Sequence, residues 1–567
     1  MASKRSARKN KCNVWAKGGF GVLLAVAGAQ GAHAFDIDLG NDDLQTRWDN
    51  TIRYNYGVRG SNPDSRIMSN PNYDESDGKF NKKGSVVTNR VDVLSEFDMN
   101  YRKQFGVRVS AAGWYDNAYD DHSVRTSAPG GYSTSYNGNQ YNSSVSRYVN
   151  GPSGEILDAF VWGNFNLGSN PVNVKFGRQT NYFGEGLLIP THAISYSQSP
   201  IDGVKAVTSP GIETKEVFLP LSQIFAKIQL TPNLTVAGQY FLDWRESRLP
   251  YGGTYFAPAD FLFEGPGQLP AAPGYNIGRI PSITPKKSGN FGVSARLNIE
   301  AIESTVGAYY RQFDDYNPWF TPEFGGYAPV AALGGYVAPT QFRLVYPKNV
   351  KIVGASISRN IGPVSFASDV SYRIGGALNA AAISPVDNLG PSGDTLHIVA
   401  NGVYLLPATK FWDTGSLIAE IAYNRLIRVT EHPELYKGVG SPLCLDPHGK
   451  AGGVSDGCST KDYLGMAVLF TPEYLQVLPS WDLDLPMSVN YGLKGNAATS
   501  GGGNQNSLSW SVGAKMTYKQ KYEFSLQYAD AHSTTKYDPS GQVAIGGNGS
   551  YGTNDRAWLV ATFKTSF

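Results

Sequence analysis

Between Val86 and Arg102 the side chains alternate in chemistry at a period of two. Val91, Val93, Phe97, Met99 and Tyr101 fall on one face, and Arg90, Asp92, Glu96, Asp98, Asn100 and Arg102 on the other. Successive residues of a strand point to opposite faces, so this stretch predicts a strand with one apolar and one heavily charged side. A dry sandwich core has no place for so many charges, because each buried ion needs a partner or water. A wet lumen on one side and lipid on the other accommodate both faces.

The pattern recurs. Over 44–59, Trp48, Ile52, Tyr54, Tyr56 and Val58 oppose Arg47, Asp49, Thr51, Arg53 and Asn55. Further candidate strands lie near 106–119, 154–167, 171–181, 213–230, 234–248, 288–299, 303–315, 346–360 and 363–375. The series continues at 393–405, 414–430, 460–471, 483–495, 506–519, 521–534 and 555–567. The count is about eighteen, with segment lengths that suit tilted membrane-crossing strands. Tight turns at Lys103-Gln104-Phe105, Gly168–Asn170, Thr231-Pro232-Asn233 and Ile361-Gly362-Pro363 alternate with long Gly-, Pro- and Asn-rich connections. These long connections are 60–85, 120–153, 182–212, 249–287, 316–345, 376–392, 431–459 and 535–554. Short turns at one end and long loops at the other mark a transmembrane antiparallel β-barrel with long extracellular loops. No stretch after the N-terminal region is apolar enough to span as a helix, and the mean hydropathy is −0.28; a closed barrel is the other way to satisfy backbone groups in lipid.

Both ends of the chain fit that reading. Lys4, Arg5, Arg8, Lys9, Lys11 and Lys17 precede the short apolar run Gly18–Ala29, and Ala32-His33-Ala34 has the small-x-small form of a cleavage site. Residues 1–34 are therefore predicted to be a signal peptide and 35–567 the barrel. About ten residues then precede the first strand, too few for an N-terminal plug domain. At the other end, Leu559, Ala561, Phe563, Thr565 and Phe567 share one face. This resembles the closing strand of bacterial outer-membrane barrels, whose terminal Phe is part of the signal read by the barrel-assembly machinery. Phe567 is the candidate.

Residues 1–34 hold six of the 49 basic residues and none of the 47 acidic ones, so the mature chain carries 43 basic against 47 acidic residues. That balance argues against nucleic acid as a partner. Cys444 and Cys458 are a close pair in an exported chain and predict a disulfide.

Without an N-terminal plug, any constriction comes from lumen side chains or from loops folded inward. The connection 182–212 is the first candidate, because it is less polar than a solvated loop requires; Tyr182, Phe183, Glu185, Leu187 and Leu188 are its candidate gate residues. The 249–287 and 316–345 loops are similarly apolar, with Tyr255, Phe256, Phe261, Phe263, Tyr327, Val330, Leu333 and Tyr336. They either pack on each other as a cap or line a mouth for apolar molecules. Candidate lumen charges are Arg53, Asp92, Glu96, Asp98, Arg108, Arg178, Arg245, Arg311, Arg359 and Arg373. Such charges either set ion preference across a pore or pair across strands and keep a wide lumen rigid.

Phe176-Gly177-Arg178-Gln179, then Asn181 to Gly186 (NYFGEG), Pro210-Gly211, Lys215 to Leu221 (KEVFLPL), Trp244-Arg245 and Gly252 to Phe256 before Asp260-Phe261 resemble a set of proteobacterial outer-membrane proteins. That set is the uncharacterised family catalogued as domain of unknown function 1302. The resemblance covers nearly the whole mature chain and implies a barrel in the outer membrane of a Gram-negative bacterium. Its members are often encoded beside inner-membrane lipid exporters and a periplasmic lipid-carrier-like protein, which implies traffic in hydrophobic molecules and partners of those kinds.

Chemical motifs are sparse. Gly453-Val454-Ser455-Asp456-Gly457 has the form G-x-S-x-G, but it lies between Cys444 and Cys458 without the strand-to-helix turn that makes a nucleophile elbow. His122, His192, His397, His432, His448 and His532 show no metal-ligand spacing, and Asp116, Asp120 and Asp121 read as an acidic rim bridging to lipopolysaccharide rather than a cation site. No catalytic residue, metal or cofactor is assigned. The sequence thus predicts a passive, loop-gated outer-membrane channel for small or amphipathic, even lipid- or sterol-like, molecules. The alternatives are a non-conducting partner of an inner-membrane lipid exporter and a barrel lipid hydrolase.

Overall fold

A computed structural model of the chain describes residues 35–37 and 40–567; residues 1–34, expected from sequence to be a signal peptide, lie outside the described residues. Eighteen strands close on themselves. They are β1 Leu44–Arg59, β2 Val86–Tyr101, β3 Phe105–Asp116, β4 Ser153–Leu167, β5 Asn170–Gln179 and β6 Leu221–Gln229. Next come β7 Leu234–Phe241, β8 Phe291–Ile299, β9 Ser304–Phe313, β10 Val350–Ile361, β11 Val364–Ala377 and β12 Ser392–Leu405. The circuit ends with β13 Thr414–Glu431, β14 Asp462–Leu478, β15 in two pieces (Trp481–Asp484 and Met487–Lys494), β16 Leu508–Tyr518, β17 Tyr522–His532 and β18 Trp558–Ser566. Each strand pairs antiparallel with its sequence neighbours, and β18 returns to β1 with Asn55 opposite Thr562 and Tyr54 opposite Phe563. Closure removes the sheet edges that would otherwise template aggregation.

Local chemistry explains the punctuation. Arg102 and Lys103 both sit at positive φ (51° and 56°) in the three-residue connection 102–104 between β2 and β3, whose left-handed backbone matches the twist of the flanking strands. Pro486 has no N–H to give the ladder and falls at the break in β15.

Burial is inverted relative to a water-soluble protein. Outward-facing Trp48, Phe105, Val161, Phe176 and Leu405 are 45–72% exposed, whereas inward Arg53, Arg311 and His397 are 1% exposed or less. Apolar side chains outside and charged ones inside are the arrangement a bilayer imposes on a barrel.

Three of the expected strands have different ends. The 213–230 stretch becomes sheet only at Leu221, because Thr214–Val217 forms a helical turn inside the barrel. The 234–248 stretch leaves the sheet after Phe241; Ser247 and Arg248 instead donate their backbone N–H groups to Tyr316 and Ile201. The 460–471 strand continues to Leu478 and pairs with the first piece of β15.

The long connections build a cap over one end. Gln268–Ala272, Tyr275–Arg279, Glu323–Gly325 and Gln341–Arg343 form a four-stranded sheet there. Phe80, Tyr119, Tyr136, Tyr141, Tyr251 and Tyr255 form a buried cluster with Trp558 at the top of β18, and Phe256 packs on that Trp558 ring. Of the apolar loop residues read from sequence, then, Tyr255 and Phe256 hold the cap together. Phe261 and Phe263 line a cavity beneath it, Val330 and Leu333 pack on the small sheet, and Tyr327 and Tyr336 project outward. Cys444 and Cys458 are disulfide-bonded, with their Cα atoms 5.8 Å apart.

Candidate functional site

Residues 180–220, between β5 and β6, cross the lumen and are held by side chains of the wall at both ends of the crossing. On one side the anchors are carboxylates that accept backbone N–H groups. Asp369 on β11 accepts from Glu185 at 2.9 Å, Gly186 at 3.3 Å and Ile194 at 3.2 Å. Glu420 on β13 accepts from three successive residues, Leu187, Leu188 and Ile189, at 2.6, 2.9 and 2.5 Å. These are charge-assisted bonds to backbone that has no helix or ladder of its own, so the wall supplies the partners the loop lacks. Gly184 is required at the start of this run. Its φ is +91°, and a Cβ there would lie 2.7 Å from an Asp369 carboxylate oxygen.

Cations of the same wall take the carbonyls. Arg311 on β9 donates to the carbonyls of Ile194, Tyr196 and Ser197 at 2.6–2.9 Å. Arg373 on β11 donates to Thr191 at 2.8 Å and stacks its guanidinium 3.7 Å from the centroid of the Tyr196 ring. Arg296 on β8 pairs with Glu185 at 2.8 Å, and Asn401 on β12 donates to the Glu185 carbonyl at 2.7 Å. His192 meets His397 of β12 with the two Nδ1 atoms 2.9 Å apart, and its Nε2 lies 2.7 Å from the Gly502 carbonyl.

The far half of the loop is anchored by ion pairs to the opposite wall. Arg53 on β1 holds Glu216 at 2.8 Å with both side chains buried. Ser209 donates to Asp92 on β2 at 2.8 Å, and Lys215 reaches Glu96 on β2 at 2.5 Å. Glu155 on β4 receives Lys205 at 3.4 Å and Arg248 at 2.5 Å. Lys564 on β18 pairs with Glu213 at 3.3 Å.

Two cavities lie toward opposite ends of the barrel, one lined by the long connections and one by the wall and the crossing. The upper one, about 620 Å³, lies beneath the cap and is lined by Tyr73, Phe261, Phe263, Phe320, Lys437 and the Ser500–Gly503 turn. The lower one, about 720 Å³, lies toward the short-turn end. The β2–β5 wall supplies its sides through Asp98, Arg108, Asp158, Phe160, Trp162, Asn164, Asn173 and Lys175. Its roof is the crossing itself, through Thr180, Tyr182, Thr214 and Lys215. Arg108 is saturated there: it contacts Glu96, Asp98 at 2.8 Å and Asp158 at 3.2 Å.

Seven of the ten charges singled out from sequence, Arg53, Asp92, Glu96, Asp98, Arg108, Arg311 and Arg373, lie in the lumen. Three do not belong to its wall. Arg245 sits in the connection after β7, 3.8 Å from Glu155, and burial beside Arg248 pushes its guanidinium down to about 10. Arg178 shares the outward parity of Phe176 and donates to the Ile156 carbonyl. Arg359 shares the outward parity of Val353 at the short-turn end of β10. Among the loop residues, Phe183 is buried and Glu185 is clamped by Arg296 and Asn401, while Tyr182 and Leu187 keep exposed surface inside the barrel. Alternation alone could have nominated Asp369 and Glu420, each a lone acid on a strand interior, but not the loop they hold.

The other motifs are structural here. Ser455 is exposed on a short helical turn within the disulfide loop, whose Asp456 accepts from the Gly453 N–H and pairs with Lys536. Asp116 accepts from Thr88, Asn89 and Ala118, and Asp120 from Tyr115, Asn117 and Asn150. No group of three potential ligand side chains is arranged for a metal ion among the described residues.

Comparison with known proteins gives one family. The profile described as "Protein of unknown function (DUF1302)" matches residues 15–567. No curated protein matches significantly. Among solved structures, OccAB4 of Acinetobacter baumannii is similar at 8% identity and a TM-score of 0.40, covering 92% of this chain and 98% of that one. The outer membrane channel DcaP of Acinetobacter baumannii matches at 11% identity and a TM-score of 0.35, covering 94% and 99%. OpdK of Pseudomonas aeruginosa, crystallised with vanillate, matches at 9% identity and a TM-score of 0.38, covering 92% and 99%.

Proposed function

We propose that this chain, which belongs to the DUF1302 family of proteins of unknown function, is an outer-membrane channel that passes small or amphipathic molecules passively under the control of one loop. The observation that carries the reading is the 180–220 crossing: a loop suspended between two cavities by hydrogen bonds and ion pairs, each reversible, with no covalent tie. An 18-stranded barrel is wide enough for an aqueous channel when nothing fills it. Rearrangement of the loop would join the cavity under the cap to the cavity above the short turns. The aromatic side chains in both cavities favour molecules with an apolar part, lipid- or sterol-like ones included. In this reading the outward aromatic belt meets membrane lipid and lipopolysaccharide, the barrel is inserted by the assembly machinery through a signal that includes Phe567, and a periplasmic lipid carrier and inner-membrane lipid exporter are its neighbours in traffic.

The density of anchors supports a second reading, a permanently occluded partner of such an exporter. Conductance across a planar bilayer, with and without a long-chain fatty acid, separates them. The channel reading expects small, resolved conductance steps whose frequency changes when the fatty acid is added. Silence under both conditions favours the occluded partner, and large steady steps would contradict loop control.

A further inference from the structure

The lower cavity has an uneven charge balance. Of its cations, Arg108 is shared among three carboxylates, and Lys215 is paired with Glu96 and Glu213. Lys175 on β5 has no such partner: its side chain forms no ion pair and no hydrogen bond with the described residues. Its ammonium instead lies 5.5 Å from the Phe160 ring and 5.8 Å from the Phe225 ring. Asp98 and Asp158, the acids lining the same cavity, are both engaged by Arg108. Lys227 follows on the neighbouring strand β6, where the register sets Phe225 opposite Lys175 and Lys227 opposite Asn173, so it shares the inward face one step nearer the short turns. Lys227 is likewise without an ion pair among the described residues.

Two cations side by side on one wall repel each other, an unfavourable contact that a bound anion would relieve. Three aromatic side chains share the lining with its polar groups, Phe160 and Trp162 on β4 and Tyr182 from the crossing above. Apolar rings flanking an uncompensated positive charge complement a molecule with an acidic head and an apolar body. A cavity of about 720 Å³ has the size of a small-molecule site.

We propose that the lower cavity is a binding subsite for amphipathic organic anions, with Lys175 and Lys227 receiving the acid group and Phe160, Trp162 and Tyr182 the apolar body. The inference names the substrate class for the channel reading above and rests on it for its role, although binding itself does not require conduction.

The test is calorimetric titration of the detergent-purified protein with three probes: phenylacetate, its uncharged analogue phenylacetamide, and acetate. Phenylacetate is expected to bind at least about tenfold more tightly than either control, the equivalent of about 1.4 kcal/mol. The double variant Lys175→Gln/Lys227→Gln should lose that advantage, while Lys175→Arg/Lys227→Arg should keep most of it. Heat-modifiable migration on a gel verifies that each variant is a folded barrel. Equal binding of acid and amide by the wild-type protein overturns the proposal without any variant, and so does unchanged phenylacetate affinity in the folded Gln variant. Conductance of the same preparations separates the two readings. Conduction without selective binding leaves a channel and removes this subsite; selective binding without conduction keeps the subsite and removes the channel.

Discussion

Excising residues 182–212 and bridging the gap with a short glycine linker is expected to raise single-channel conductance by about an order of magnitude, toward that of an open barrel of 16–18 strands. The segment fills the lumen between the two cavities, and its removal takes away the backbone that Asp369, Glu420, Arg311 and Arg373 hold on one wall. It also removes Lys205 and Ser209, which reach Glu155 and Asp92 on the other wall. The wall itself should survive. Its strands are joined by ladder hydrogen bonds all the way round, including β18 to β1, and the released charges would be hydrated by the water that replaces the loop. Unchanged conductance in a correctly inserted variant would mean that something other than this segment limits flow.

Glu420→Ala is expected to have the largest effect of any single lumen substitution on how often the passage opens. One carboxylate satisfies three consecutive amides, Leu187, Leu188 and Ile189, and receives Asn401 at 3.2 Å as well. Losing it strands donors in a part-buried site at a cost on the order of 3 kcal/mol to the closed arrangement. That is about a hundredfold in the closed-to-open ratio, read as open probability in single-channel records. Glu420→Gln keeps an oxygen acceptor and should lie between the two. Ile421→Ala, at the adjacent outward-facing and exposed position, should leave gating unchanged. If Glu420→Ala gates like the wild-type protein, this anchor does not hold the closed state.

The barrel was legible because lumen and lipid impose opposite chemistries on the two faces of each strand. Arg90, Asp92 and Glu96 against Val91, Val93 and Phe97 leave little choice of fold, and the alternating short and long connections order the strands. Legibility failed where a face carries weak chemistry. On β10, Ile352, Gly354 and Ser356 face inward while Val353, Ala355 and Ile357 face outward. Neither set is strongly polar, so the pattern gives no correction to the expectation that Arg359 faces the lumen. Arg178 lies near the end of its strand with the parity of outward Phe176, so the expectation that it faces the lumen fails there. The 213–230 stretch departs from a single strand because Thr214–Val217 is a helical turn inside the barrel. The composition of 182–212 points inward, but which wall residues hold it is beyond reach of sequence. Glu420 lies 231–233 residues from the amides it holds, and His192 and His397 meet across 205 residues of chain.

The most direct measurement is thiol labelling of intact cells with a membrane-impermeant maleimide, using one introduced cysteine in each cavity. The native pair Cys444–Cys458 is disulfide-bonded and silent to the reagent. Ser500→Cys places the thiol in the cavity beneath the cap, and Asn173→Cys places it in the cavity toward the short turns. With the 180–220 crossing between them, Ser500→Cys is expected to label from outside the cell. Asn173→Cys should label only once the outer membrane is permeabilised. Equal labelling of both positions in intact cells would contradict a lumen divided by this loop.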